Sequence, residues 1–263
     1  MNAAPYLAFI AKAMAREATY RFEVFTTVGS VIVRIYLLRL VWTALYAQNA
    51  VPHGLPLHAI LTYSTVAMLM GLVLNIDQTR QLHDKLNDGS IVTDFMKPIN
   101  VPLYLFSDGT GEVLLHALLI VPSLIIALFI VKIDVPPAPV LGAFAISLVL
   151  GYFVGFALNF LLNCIAFWTL HISSVQLMVT WITDFLGGEL VPLVFFPAAF
   201  QQVIFVLPFA AMFSTPLLIY VGEISPDRYA EAMGLQVMWI AILAAGATVL
   251  WKAGARRVVV QGG

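Results

Sequence analysis

Charge is scarce in this sequence. Of 263 residues, 10% are charged and 61% are hydrophobic, whereas soluble domains carry about 25% charged residues. Mean hydropathy is +0.95. So apolar a chain needs lipid as its solvent, and no independent soluble domain is expected beside the spans. The net charge is −1, which removes any bulk electrostatic case for nucleic acid. The one cysteine, Cys164, sits inside an apolar run. That excludes an intrachain disulfide and any multi-cysteine metal site, and leaves a small buried hydrophobe. His53, His58, His83, His116 and His171 are scattered, without a His-x-x-x-His or Glu partner, so no metal site is expected.

Other signatures are missing too. No Gly-x-x-x-x-Gly-Lys-[Ser/Thr] loop is present to cradle phosphates. Gly109-Thr110-Gly111 is a glycine pair without the lysine. The chain is therefore not expected to hydrolyse ATP by that mechanism. An intramembrane enzyme would need a catalytic dyad or metal cluster at matching depth, and none is apparent. A cleaved leader is not expected either. Ala13-Met14-Ala15 has the small-x-small form, but no Lys or Arg precedes Lys12, so the basic n-region is absent.

What is present is a series of long apolar runs. Spans of about 20 residues cross a bilayer, and the runs predict an all-α membrane protein with six of them, one domain over residues 1–263. They fall at about 24–46, 57–76, 104–131, 140–167, 174–190 and 229–251. Residues 4–22 read as an amphipathic helix, with Leu7, Ile10, Met14, Ala18 and Phe22 at helical spacing. Lys12, Arg16 and Arg21 lie mostly elsewhere on its wheel, as in a helix lying flat in the interface; the alternative is an extension of the first span. Residues 191–223 are apolar yet interrupted by Pro192, Pro197, Pro208 and Pro216. Proline breaks the helical ladder, so two short helices are expected, dipping into the bilayer and returning under protein cover.

Six crossings put both termini on one side. That side collects Lys12, Arg16, Arg21, Arg80, Lys85, Lys97, Lys252, Arg256 and Arg257; the other has Lys132 and Arg228. The positive-inside rule makes the richer side cytoplasmic.

The loop at 77–100 is the exception to the scarcity of charge. It carries Asp77, Arg80, His83, Asp84, Lys85, Asp88, Asp94 and Lys97. Leu82 and Leu86 are one turn apart. Asp88-Gly89 stops this helix, and Ser90 is expected to cap a second short turn with Ile91, Val92 and Phe95 that Pro98 ends. Two short helices with apolar ridges across the membrane face can seat in a partner's groove; the plain alternative is a solvated connection. Arg80, Leu82, His83, Asp84, Lys85, Leu86, Phe95 and Lys97 are the candidate docking residues.

Ionisable groups inside the membrane come next. Arg34 lies roughly 16 Å above Glu23 along its helix, and Asp184 lies at about the same depth on a parallel span. The two are expected to pair, within the chain or across an interface; contact with a polar substrate is the alternative. Arg39 lies about 24 Å up and can snorkel to headgroups. Asp108 and Glu112 read as acids offsetting a helix dipole. Asn159 and Asn163, one turn apart, read as interhelical hydrogen-bonding groups, with a place on a polar path as the alternative. Gly151-xxx-Gly155 is a close-packing signal. Phe195, Phe196, Phe200 and Phe205 are candidates for an outer gate, and Gln201 and Gln202 for an exit facing water.

The chain also resembles a known family. Gly89-Ser90-Ile91 followed by Phe95-Met96-Lys97-Pro98-Ile99-Asn100 is similar to the Gly-[Glu/Ser]-Ile…Leu-Leu-[Lys/Arg]-Pro-[Ile/Leu]-Asn stretch of bacterial permeases, the membrane subunits of type-2 ATP-binding-cassette exporters. The likeness continues at Phe195-Phe196-Pro197, Leu207-Pro208-Phe209 and Tyr220-Val221-Gly222-Glu223, and closes with Arg256-Arg257 and Val260-Gln261-Gly262-Gly263. It implies an elbow helix, six spans, a cytoplasmic coupling helix and an outer re-entrant hairpin. It also implies a second permease chain, identical or related, and two cytosolic ATPase subunits that hold ATP and Mg²⁺, with no cofactor on this chain. The expectation is a non-catalytic exporter subunit in a bacterial inner membrane, with a hydrophobic or amphipathic cargo. A secondary transporter or channel is the rival, but such folds usually show internal repeats, and no convincing repeat relates the two halves.

Overall fold

The structure, a computed structural model, describes residues 4–19, 21–48, 56–74, 79–169 and 173–261. Asp77, His53, His171 and Gly262-Gly263 lie outside them. The described chain is all helical, with no strand. Five helices are long and apolar enough to cross a membrane. They are α2 (Arg21–Ala47), α3 (Leu57–Leu74), α6 (Val101–Ile130), α7 (Ala138–Cys164) and α12 (Tyr229–Gln261). Before and between them lie α1 (Ala4–Thr19), α4 (Arg80–Asn87), α5 (Ile91–Phe95), α8 (Ser173–Leu186), α9 (Ala198–Ile204), α10 (Pro208–Met212) and α11 (Ser214–Tyr220).

The sixth expected span, at 174–190, forms a helix too short for a full crossing. α8 has 14 residues, roughly 21 Å of helix against a hydrocarbon core of about 30 Å. The apolar run continues past it, but Gly187-Gly188 ends the helix. Gly188 has φ +85°, a backbone region that side chains rarely adopt. Two carbonyls freed at this end are taken by side chains. Ser214 Oγ donates to Gly187 O at 2.7 Å, and Tyr63 Oη donates to Gly188 O at 2.8 Å.

The interrupted segment then forms three short helices rather than the expected two. Pro197 precedes α9 and Pro208 opens α10. Met212, at the end of α10, packs on the middle of α7. A Cβ at Gly151 would lie 2.5 Å from Met212 O, and one at Gly155 would meet the Met212 side chain. Gln236 of α12 ties the same region. It is fully buried, accepts from Ser147 Oγ at 3.0 Å, and donates to Ser147 O and Ala211 O at 2.9 and 2.8 Å. The return arm, α11, ends where Tyr220 Oη donates to Asp134 O at 3.1 Å.

Contacts sort the elements to two ends. α1, α4, α5, the start of α6, the end of α7 and the end of α12 meet at the charged end. The link from α6 to α7, the start of α3 and the end of α11 meet at the other. α3 is the central helix and mostly buried; α2, α6 and α12 show most of their apolar surface outward, as lipid contact requires. α1 is separate from α2 and lies along α6, where Gly111 sits under Ile10 and Ala13.

The close approach at Gly151 is testable. Gly151→Ala places a methyl group against backbone and is expected to cost about 1–3 kcal/mol, visible as a lowered Tm in detergent. Gly142→Ala on the same helix, with nothing within 4 Å, leaves Tm unchanged.

Candidate functional site

The charged loop is built into the bundle. Leu82 is fully buried, and Leu86 and Phe95 pack with it against Leu105, Phe160, Phe167 and Trp251. The apolar ridge expected to face a partner is therefore turned onto the chain's own helix ends. A periodic stripe shows that a helix covers something; it does not say what. Outward stand Arg80, Asp84, Asn87 and Asp88, with Val92 (43% exposed) and Met96 (81%) as an apolar pair among them. Ser90 makes no side-chain cap for α5; Asp88 Oδ1 accepts its backbone N–H instead, at 2.8 Å.

Asp94 holds the loop electrostatically. It is buried and accepts from Lys85 Nζ at one oxygen and from Lys97 Nζ, at 2.6 Å, at the other. Lys85 Nζ also donates to Tyr104 Oη at 3.3 Å and lies 4.6 Å from that ring's centre. Tyr104 Oη donates to Gln81 Oε1 at 3.2 Å, and Gln81 Nε2 donates to Asp108. Asp108 in turn accepts two bonds from the Arg16 guanidinium, at 3.1 and 2.9 Å. The chain of contacts thus runs from α5 through α4 and α6 to α1. Asp108 is the eighth residue of α6, too far in to serve mainly as the dipole offset expected of it. Its partner is 92 positions away, where no local pattern could reveal it.

The charges are tuned accordingly. Burial alone would raise the Asp94 carboxyl, but the bonds from Lys85 and Lys97 hold it below the ordinary range. Burial would lower Lys85, but Asp94 and Tyr104 hold it above its ordinary value.

Beneath α4 a cavity of about 410 Å³ opens among α4, α7 and α8. Arg80, His83 and Asp84 form one side; Asn159, Thr180 and Asp184 lie within, and Met212 stands at the far end. Asn163 is buried beside it. Its Nδ2 donates to Thr79 Oγ1 at 2.9 Å, and its Oδ1 accepts from Gln176 Nε2 at 2.8 Å, an interhelical joint as its sequence position suggested. Arg34 is exposed, and its charge acts on Asp184 without an ion pair within 4.0 Å.

Of the candidate gate residues, Phe196 and Phe205 pack on one small cluster of Leu193, Ile204 and Ala210. Phe195 packs on Trp42 at 5.6 Å and Phe196 on Phe185 at 5.2 Å. Phe205 is half-buried against the core, and Phe200 is 63% exposed. Gln201 lines a second cavity, of about 660 Å³, and its Nε2 donates to Val194 O and Phe196 O, bracing the turn. Arg39 donates to Ile130 O at 2.6 Å, at the far end of α6.

Comparison with known families bears on residues 31–262, which match the family model described as ABC-2 family transporter protein. The chain belongs to the ABC-2 transporter family. No curated protein and no solved structure matches it significantly. The ABC-2 permease is thus a multi-pass membrane protein of a transport system, and a non-catalytic subunit. Permeases of this family generally work with ATPase subunits. The match begins after α1, yet Arg16 of α1 is bonded to the matched core through Asp108.

The Asp94 network has a pH signature. A carboxyl lowered by folding adds stability that is complete above its unfolded pKa, about 3.9. That stability is lost as pH falls through the lower folded value. The raised Lys85 contributes below about 10.4 and stops contributing as pH rises through its higher folded value. Asp94→Asn is expected to cost about 1–3 kcal/mol at pH 7. In thermal unfolding, its Tm gap to the parent should close as the pH drops below about 4.

Proposed function

We propose that this ABC-2 permease is the membrane-spanning subunit of an ATP-driven exporter. It pairs with a second permease chain, identical or related. Two cytosolic ATP-binding-cassette subunits bind ATP and Mg²⁺ and supply the power. The charged end faces the cytoplasm of a bacterial cell, with both termini, following the distribution of Lys and Arg. Residues 191–223 form the outer hairpin, and the cargo is hydrophobic or amphipathic.

One observation carries this reading. α4 and α5 are fixed to the bundle by a buried apolar face and by a polar chain reaching α6 and α1. A loop held on that side can pass on a push received on its exposed side. The docking surface is then Arg80, Asp84 and Lys97 around Val92 and Met96, with His83 at the margin. Leu82, Leu86, Phe95 and Lys85 act from beneath as the mounting. ATP binding would move the mounted loop as a unit and bias a hinge-type change from inward- to outward-facing.

The test is capture of candidate cytosolic ATP-binding-cassette ATPases, co-expressed and purified through a tag on the permease. Val92→Asp with Met96→Asp should abolish co-purification while Tm stays within a few degrees of the parent. Leu82→Ala should instead lower Tm, by about 2–5 kcal/mol of lost packing. Full capture by the double Asp variant overturns the assigned surface. Transport by this chain without nucleotide overturns the exporter itself.

A further inference from the structure

The cavity beneath α4 is not explained by coupling. Its volume, about 410 Å³, falls in the range of small-molecule sites, about 300–1,000 Å³. Leu158, Leu162 and Met212 give it apolar walls; Asn159, Thr180 and Asp184 give it polar ones. Four buried side-chain polar atoms lack a partner among the described residues, and two of them, His83 Nδ1 and Asp184 Oδ1, belong to residues of this cavity. A buried acceptor without a donor is costly, and a carboxylate oxygen most of all.

Of the donors nearby, Thr180 and Gln176 are engaged elsewhere, while His83 Nδ1 is not. Thr180 Oγ1 donates to Gln176 O, and Gln176 Nε2 to Asn163 Oδ1. Arg80 is turned to Asp84, at 4.0 Å. Arg34 makes no ion pair with Asp184. What the cavity lacks is one cationic donor at Asp184, with apolar bulk beside it.

We propose that this cavity binds a protonated amine carried on an apolar body, its ammonium on Asp184 and its apolar part against Leu158, Leu162 and Met212. The assignment narrows the amphipathic cargo class to amines. As a cargo site it rests on the transport reading; as a binding site it does not. A guest there touches α4 at the charged end and Met212 of the interrupted segment at once, so its presence is felt by both.

The experiment is calorimetric titration of the purified chain in phosphatidylcholine nanodiscs at pH 7, with empty nanodiscs subtracted. The probes are octylammonium chloride, 1-octanol and sodium octanoate, which share a tail and differ in head group. Octylammonium is expected to bind one site per chain at least tenfold tighter than the other two, and Asp184→Asn to remove that preference. Thr180→Leu, which narrows the cavity without altering charge, should weaken octylammonium at least fivefold, and it decides alone should Asp184→Asn fail to fold. Arg34→Gln removes a competing cation and should leave affinity equal or higher.

Equal affinity for the three head groups overturns the proposal, as does a preference for octanoate or a folded Asp184→Asn that binds like the parent. Loss of binding in Arg34→Gln as large as in Asp184→Asn also overturns it, since Asp184 would then serve Arg34. No ATPase or nucleotide is present, so this result and capture of the ATPase through α4–α5 stand or fall separately.

Discussion

A carbonyl released inside a bilayer finds no water to bond with, and this constraint organises the middle of the protein. α8 stops after 14 residues, so its end must be satisfied by the protein itself. The groups that do this come from two other helices, Tyr63 from α3 and Ser214 from α11. The short helix is therefore stable only with α3 beside it, and α3 is the most enclosed of the long helices. Gln236 and the contact of Met212 on Gly151 hold α10 against α7 and α12. Hydrophobic burial cannot arrange these helices, because lipid is as apolar as leucine. Close approach at glycine and polar bonds between helices do it instead.

The charged end obeys the same rule at the water boundary. Asp94 is buried, which is tolerable only with two lysines on its two oxygens. Lys85 is in turn held by Tyr104, so the loop cannot tilt without disturbing the first turn of α6. Gln81 and Arg16 share Asp108, which brings α1 into the same unit. In the proposed assembly, force applied at Val92 and Met96 would reach α6 by this polar route and α7 and α12 by the buried face of Leu82. The two routes meet on α6, through Tyr104 and Leu105, and between them engage α1, α7 and α12 as well, so the loop is held at several helices at once.

How much of this was legible in the sequence varied with the range of the interactions. Five spans, the separate α1 and the helical loop followed from apolar runs and helical spacing, which are local. The run at 174–190 misled because apolarity continues through Gly187-Gly188, and composition does not register a helix end that is capped from elsewhere. The Leu82 and Leu86 stripe was visible, but its orientation depends on Phe160, Phe167 and Trp251, far along the chain. Asp94 stood among seven other charged or titratable residues in the loop, and nothing local marked it as the buried one. Asp108 looked like a dipole acid until Arg16 came across it. Asn163 was readable as an interhelical group because an amide inside an apolar run has few other options.

The shortness of α8 bears on mechanism as well as on folding. Its first turns carry Gln176 and Thr180, on the wall of the cavity, and its later turns carry Thr183 and Asp184, deeper on the same wall. The carbonyls just past its end, of Gly187 and Gly188, are held by α11 and α3. The far end of the cavity is Met212, whose position on α7 is set by Gly151 and Gly155. A displacement of α4 would alter the mouth of the cavity, and a displacement of α10 would alter its far end. Neither needs to touch the other for the two to be coupled, because both bear on one half-open cavity and on one short helix. A continuous span through the same residues would carry its carbonyl bonds within itself, and its packing on α3 and α11 would then be free to slip without cost.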